Sequence, residues 1–339
     1  MEIMGRCVDN ILKVKDEKDC YMTILSTGLY GKTLDKFTMS NGSGGNGKNV
    51  IDDIMLGTAG NYGTKMSPSV LQNPIGIGAS PETGVLEHKR FIVSREPDEN
   101  LPYCLSSIKE LTGGHTINAR MCYSNRTTIA NKGTYVCESN TRPQIDGKAD
   151  ASVTRRLIDV LFRTTFVDEV STDIEDGKFE VLKDTRFTDQ SFQLEMRCAF
   201  FRIVLPYFQK YLSAGEVMDK LIPKTFKQRM LDYVASSDKM FSFLTDTYEV
   251  TGEPDDIVLV RDFHNAYKFS DGFRELTREQ KRGFSEKKTI DTISGNVNFR
   301  KLYKDKYRPT INGKQLQLSN VLVGVRVKAD ELANSLLEE

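Results

Sequence analysis

The sequence predicts an α/β protein with a central sheet of parallel type flanked by helices, followed by a second α+β region. Three observations lead there. A glycine-rich loop, NGSGGNGKN at 41–49, sits between a short apolar stretch and a helical one. The apolar runs at 91–93, 134–137 and 157–162 lack alternation, as strands covered on both faces do. From about residue 225, shorter strand-like and helix-like segments alternate to residue 328.

Taken in order, residues 1–30 read as two short amphipathic helices. Ile3, Cys7, Ile11 and Leu12 form one apolar stripe, and Tyr21, Met22, Ile24, Leu25 and Leu29 the other. Phe37–Ser40 is a brief strand running into the glycine loop. NVIDDIMLGTAG is the helix after it, with Val50, Ile54 and Met55 on one side. Prolines 68, 74 and 81 with interspersed glycines make 58–86 loop-rich. Then come the strand in KRFIVSREPDEN, a short helix in SSIKELTGG, two strands in HTINARMCY and RTTIANKG around Ser124-Asn125, and the strand of GTYVCESN. RRLIDVLFRTTF supplies a further strand, and VDEVSTDIEDGKFE an acidic connection. SFQLEMRCAFFRIVLPYFQKYL is an apolar helix that Pro206 is expected to kink.

Composition narrows the function classes. Lys plus Arg and Asp plus Glu each number 47, so nucleic-acid binding must come from local patches rather than a global positive field. No apolar run is long enough for a membrane helix, and the acid-containing N-terminus has no signal-peptide core, so a soluble intracellular chain is expected. The cysteines at 7, 20, 104, 122, 137 and 198 form no C-x-x-C pair and read as reduced, buried thiols; zinc is not expected.

The loop matches G-x-x-x-x-G-K through Gly42, Ser43, Gly44, Gly45, Asn46, Gly47 and Lys48; Asn49 stands where Ser or Thr is usual. Such a loop binds phosphate because backbone N–H groups point inward at a helix N-terminus while the lysine supplies charge. With Val50, these residues are the expected ATP-binding set. The Asn49 amide oxygen is a hard donor, able to reach Mg²⁺ directly or through water. Glu96, first after the buried strand, is assigned to metal or water activation, with Asp98 and Glu99 as alternates. Asn140 follows the next strand, where its amide would sense the γ-phosphate. Arg155 and Arg156 precede a further strand, one of them a candidate cation supplied in trans.

Together these segments resemble the superfamily 3 helicases, in particular the primase–helicases of poxviruses, other large DNA viruses, and some phages and plasmids. The resemblance covers roughly 20–166 and is carried by GSGGNGKN, RFIVSREPDEN, IKELTGGHTINAR and CESNTRPQIDGKADASVTRRLIDVLFRTTF. It implies an AAA+ ring, a hexamer, that hydrolyses ATP with Mg²⁺ at subunit interfaces and threads single-stranded DNA. Lys48 would then meet phosphate, Glu96 metal and water, and Asn140 would act as sensor. Arg155 or Arg156 would serve the neighbouring subunit. Arg120, Arg126 and His115 belong to the hairpin segment expected to meet the DNA backbone. His115 stands where an acid is common in this viral branch, and a single acid preceded by Arg95 ends the strand where many relatives carry two.

The resemblance also implies a division into a helical segment (1–36), the ATPase core (37–170), a helical connection (171–225) and a winged-helix-like region (226–339). The front is short, so either the primase is encoded elsewhere or this sequence is a helicase portion. Primase and polymerase are the implied partners, in host cytoplasm or nucleus. KKTIDTISGNVNFRKLYKDKYRP suits phosphate contact and base stacking, or else a packed core of Phe299, Tyr303 and Tyr307 with solvated lysines. A ring subunit with little hydrolysis and a DNA-loading or packaging ATPase are the alternative functions.

Overall fold

The computed structural model describes residues 1–328 except 77–80, 115, 120–127, 147–150, 172–173, 237, 275, 277, 297 and 312–313. The chain forms two compact units. One comprises Met1–Gly147 with Ser152–Leu231; the other comprises Lys148–Ala151 with the chain from Asp232 onward. The first unit therefore takes in the 171–225 span expected to be a connection.

The first unit opens with α1 (Glu2–Ile11) and α2 (Lys15–Thr27). The α2 helix is buried on every side from Cys20 to Thr27, not along one stripe. Its polar residues remain compatible with that burial by bonding inward: Thr23, Ser26 and Thr27 donate to carbonyls of their own helix at 2.6, 2.6 and 2.7 Å. After α2 come β1 (Phe37–Asn41) and α3 (Lys48–Ala59).

The central sheet holds five parallel strands in the order β2 (Gly63–Met66), β3 (Phe91–Arg95), β6 (Thr134–Ser139), β1, β7 (Leu157–Leu161). The prolines and glycines of 58–86 predict loop where β2 forms. An edge strand with Met66 as its sole buried residue carries no apolar period to read. Between β3 and β6 lie α4 (Leu105–Gly113) and an antiparallel hairpin of β4 (Thr116–Asn118) and β5 (Thr128–Ala130). After β7, β8 (Thr164–Val167) pairs with β9 (Phe179–Leu182), so part of the acidic connection is strand.

Helix α5 (Gln190–Ser213) runs unbroken through Pro206 and packs on α2 and α3. The core lies between these helices and the sheet, with Phe91, Ile54 and Phe200 fully buried. Helix α6 (Lys224–Ser236) runs past Leu231, where the first unit ends. Cys7, Cys20, Cys104 and Cys137 are buried free thiols, as expected, but Cys198 is exposed on α5.

The second unit gathers an aromatic core of Phe263, Phe299, Tyr248 and Tyr267 with Ile293 and Leu322. Its three-stranded antiparallel sheet joins Ile257–Leu259, Leu318–Val323 and Tyr303–Tyr307. No helix among the described residues is long and apolar enough to cross a membrane.

Candidate functional site

The site forms where β1, β3 and β6 end together. Register pairs Asn41 with Ser139 and Arg95 with Glu138. Side chains just beyond the carboxyl ends of parallel strands therefore converge, which is where ligands of open α/β sheets bind.

The glycine loop runs from β1 into α3, whose N-cap Gly47 has φ +81°. A Cβ there would lie 2.7 Å from Cγ1 of Ile11 and 2.9 Å from Cε2 of Phe166, so both the backbone conformation and the space require glycine. Gly44 and Gly45 face open space at the mouth. Asn46 is buried beneath the loop; its Oδ1 accepts the Lys48 amide at 3.2 Å. Ser43 and Asn49 are exposed, while Val50 packs partly against the core.

Lys48 holds the centre. Its Nζ donates to the Gly42 carbonyl at 2.9 Å and to Oδ1 of Asn140 at 2.8 Å. Burial pulls its pKa down, while the charges of Glu138 and Glu96 hold it up. A cavity of about 350 Å³ opens beside it, lined by Gly44–Val50, Arg95, Glu96 and Glu138–Asn140.

Of the three candidate acids, only Glu96 reaches this cavity. It adopts a left-handed conformation (φ +51°), a strain of order 1 kcal/mol for a residue with a Cβ. Its N–H donates to the Glu138 carbonyl at 3.0 Å. Asp98 instead builds a local turn, accepting from the Asn100 amide at 2.9 Å, and Glu99 is exposed.

Two buried networks underlie the loop, and neither was read from sequence. In the first, Arg95 grips Glu138 at 2.9 Å and Asp53 at 3.0 Å, and Tyr21 donates to Oδ1 of Asp52 at 2.7 Å. Oδ2 of Asp52 and Oε2 of Glu138 are both buried with no hydrogen-bond partner. Two carboxyls buried near each other disfavour double ionisation, which favours a proton on one of them. Burial raises both pKa values, that of Asp52 well above its ordinary range with the Glu138 charge adding to the effect.

The folded chain thus keeps a proton that the unfolded chain releases near pH 4. Stability conferred by the pair is fully present below that pH and falls as pH rises through the folded values, by at most about 1.4 kcal/mol per pH unit for one proton. Asp52→Asn supplies a permanent N–H donor in its place. Urea unfolding between pH 5 and 8 is expected to show a flatter pH slope for the variant; equal slopes would contradict a proton held by the pair.

In the second network, fully buried Asp159 pairs with Arg142 at 2.8 Å and Arg229 at 3.1 Å. It also accepts from Asn41, whose Oδ1 accepts Ser139 at 2.6 Å. Asn140 thus follows a residue tied to three strands.

The adjacent arginines separate. Arg155 is exposed, and its carbonyl accepts the buried Lys36 at 2.7 Å. Arg156 folds back: Nη1 donates to the Ser152 carbonyl, and Nη2 stands 2.9 Å from where a Gly113 Cβ would be. Neither lines the loop cavity of its own chain. At the hairpin base, Asn131 donates to the Leu111 and Gly114 carbonyls at 2.6 and 3.3 Å. His115, Arg120 and Arg126 lie outside the described residues.

In the second unit, Phe299 is fully buried, so it is not available to stack on a base. The Tyr303 hydroxyl donates to Asn320 at 2.7 Å and that of Tyr307 to the Pro254 carbonyl at 3.1 Å. Phe299 and Tyr303 thus pack on the core of this unit, Tyr307 is half-buried, and Lys301, Lys304 and Lys306 are exposed.

No protein-family model matches the chain. It is 27% identical over 206 residues to Primase D5 of Fowlpox virus, covering 58% of this chain and 25% of that protein. It is 26% identical over 235 residues to Putative helicase 022R of Frog virus 3, covering 67% of this chain and 23% of that protein. The match thus spans about a quarter of each viral relative's length. The apo C-terminal region of NrS-1 shares the fold: TM-score 0.51 at 13% identity, over 95% of this chain and 76% of that one. The motif resemblance to the helicase portion of viral superfamily 3 primase–helicases is therefore matched by homologues.

Proposed function

We propose that the chain is the ATP-driven DNA helicase portion of a viral replication machine, an AAA+ P-loop ATPase working as a homohexameric ring. The observation that carries this reading is Lys48 joined to both Gly42 and Asn140 in one cavity with Glu96. In it, the loop amides and Lys48 hold the β- and γ-phosphates. A triphosphate taking over the Lys48 bonds frees the Asn140 amide to orient water. Glu96 accepts the water proton as oxygen attacks the γ-phosphorus and the bond to the β-phosphate oxygen breaks.

The donor set suits Mg²⁺, which retains several waters and needs only one or two hard protein oxygens beside the phosphates. The Asn49 amide and Glu96 carboxylate line the same cavity and would hold it. When bound, the ion neutralises phosphate charge.

The cation acting in trans is Arg155, exposed toward solvent, in preference to Arg156, whose guanidinium donates to the Ser152 carbonyl of its own chain. His115, Arg120 and Arg126 on the hairpin segment track single-stranded DNA, and exposed lysines at 301, 304 and 306 add phosphate contacts without base stacking. Primase and polymerase are partners at a cytoplasmic or nuclear replication site. A second reading, a ring subunit with little hydrolysis, is favoured by Asn49 and by Arg95 holding Glu138.

ATP turnover with and without single-stranded DNA tests the assignment. DNA is expected to stimulate the wild type, and Arg155→Ala to lower turnover about 10³-fold while nucleotide binding persists. Arg156→Ala is expected to retain most activity. Turnover by Arg155→Ala at the wild-type rate, or indifference to DNA, would overturn it.

A further inference from the structure

Lys36, the residue before β1, is fully buried, and nothing in the proposed hydrolysis uses its charge. Its Nζ donates to both carboxylate oxygens of Asp219 at 2.9 and 3.0 Å and to the Arg155 carbonyl at 2.7 Å. Burying an ammonium is costly unless it is paired and hydrogen-bonded. Pairing alone does not account for this burial. The Asp219 side chain is 58% exposed, so a lysine could meet it at the surface with its head in water. The ammonium is drawn instead beneath the turn that carries Arg155.

That turn is held on both sides of Arg155. The Arg156 N–H donates to the Val153 carbonyl at 2.8 Å, and Phe37, the first residue of β1, donates its N–H to the Arg156 carbonyl at 2.7 Å. The Arg156 guanidinium closes on the Ser152 carbonyl, and the Val153 side chain is fully buried. With Lys36 on the Arg155 carbonyl, the backbone around residue 155 is fixed while the Arg155 side chain stays exposed. Register sets the turn beside the start of β1, since Phe37 pairs with Leu157, the first residue of β7. The other end of β1, at Asn41, runs into the glycine loop.

We propose that Lys36 is a positioning residue for the Arg155 guanidinium offered to the neighbouring subunit, holding that arginine in register with this chain's own phosphate loop through β1. The inference rests on Arg155 serving in trans. An arginine stabilising a transferring phosphoryl group must be placed closely, because a misplacement of about 1 Å can cost about 100-fold in rate. A long side chain adds its own freedom to that of its backbone, and Lys36 removes the backbone part. β1 is buried along its whole length, so little play separates turn from loop. Lys36 does not line the loop cavity, so its loss should spare nucleotide binding.

Steady-state ATP turnover by the full chain on single-stranded DNA, beside calorimetric ATP binding, reads this out. Lys36→Met keeps an apolar stem and removes the ammonium. It is expected to lower kcat about 10- to 100-fold while KM and ATP affinity stay within about threefold. Lys36→Gln should show the same split. Lys36→Met and Arg155→Ala in one chain should turn over no more slowly than Arg155→Ala alone, because residues that act through one another do not add. Subunit mixing separates a misplaced arginine from a damaged fold. Lys48→Ala subunits retain Arg155 and Lys36→Met subunits retain the loop, so mixing the two preparations should raise turnover above that of either alone.

Additive losses in the double variant, no gain on mixing, or Lys36→Met at the wild-type rate would overturn the positioning role and leave Arg155 in trans standing. Failure of both Lys36 variants to fold would make the lysine structural and overturn it as well. Arg155→Ala at the wild-type rate would remove the trans assignment together with this one.

Discussion

Lys48→Ala is expected to weaken ATP binding by about 100-fold or more and reduce hydrolysis to background. Hydrogen bonds to a charged group contribute about 1.5–3 kcal/mol each, and the ammonium offers two or three to phosphate oxygens. The fold should survive. Burial disfavours the charged form of this lysine, so its removal relieves desolvation while surrendering bonds to Gly42 and Asn140. A thermal melt within a few degrees of wild type, beside titration showing lost affinity, is the expected pair of results. A variant that binds ATP within threefold of wild type would place the phosphates elsewhere.

Asp159→Ala acts oppositely, on the fold first. The carboxylate is fully buried and compensates Arg142 and Arg229, whose side chains are 31% and 18% exposed. Removing one partner of a buried ionic group typically costs about 3–5 kcal/mol, because the remaining charges stay desolvated without compensation. Asn41 loses an acceptor as well, and through it the tie to Ser139 slackens. Chemical denaturation should show the midpoint falling with an unchanged slope. A loss under about 1 kcal/mol would mean that the two guanidiniums are hydrated well enough not to need the acid.

Much of the site was legible because its signals are local. Glycines with positive φ, a lysine opening a helix and apolar runs of strand length are statements about adjacent residues, so they survive in one dimension. The strands at 91–95, 134–139 and 157–161 and the helix from Lys48 follow from them. What stayed hidden was pairing across distance. Nothing in LIDVLF says that its acid meets an arginine 70 residues later, and Glu138 inside YVCES reads as a strand residue until Asp52 stands beside it. The α2 helix was misjudged for a related reason. Threonines and serines look like a solvent face in sequence, but here they bond to their own helix inside the core.

By itself, then, the sequence determined the loop, its lysine, the order of strands along the chain and the kinship those motifs signal, since each depends on backbone conformation and burial over a few residues. Tertiary structure alone decided which acid stands in the cavity and which of two adjacent arginines folds home. It also decided which carboxyls are buried near each other and that a second cavity adjoins the loop. Those outcomes depend on which strand ends lie side by side, and that adjacency is set by packing the whole sheet against α2, α3 and α5.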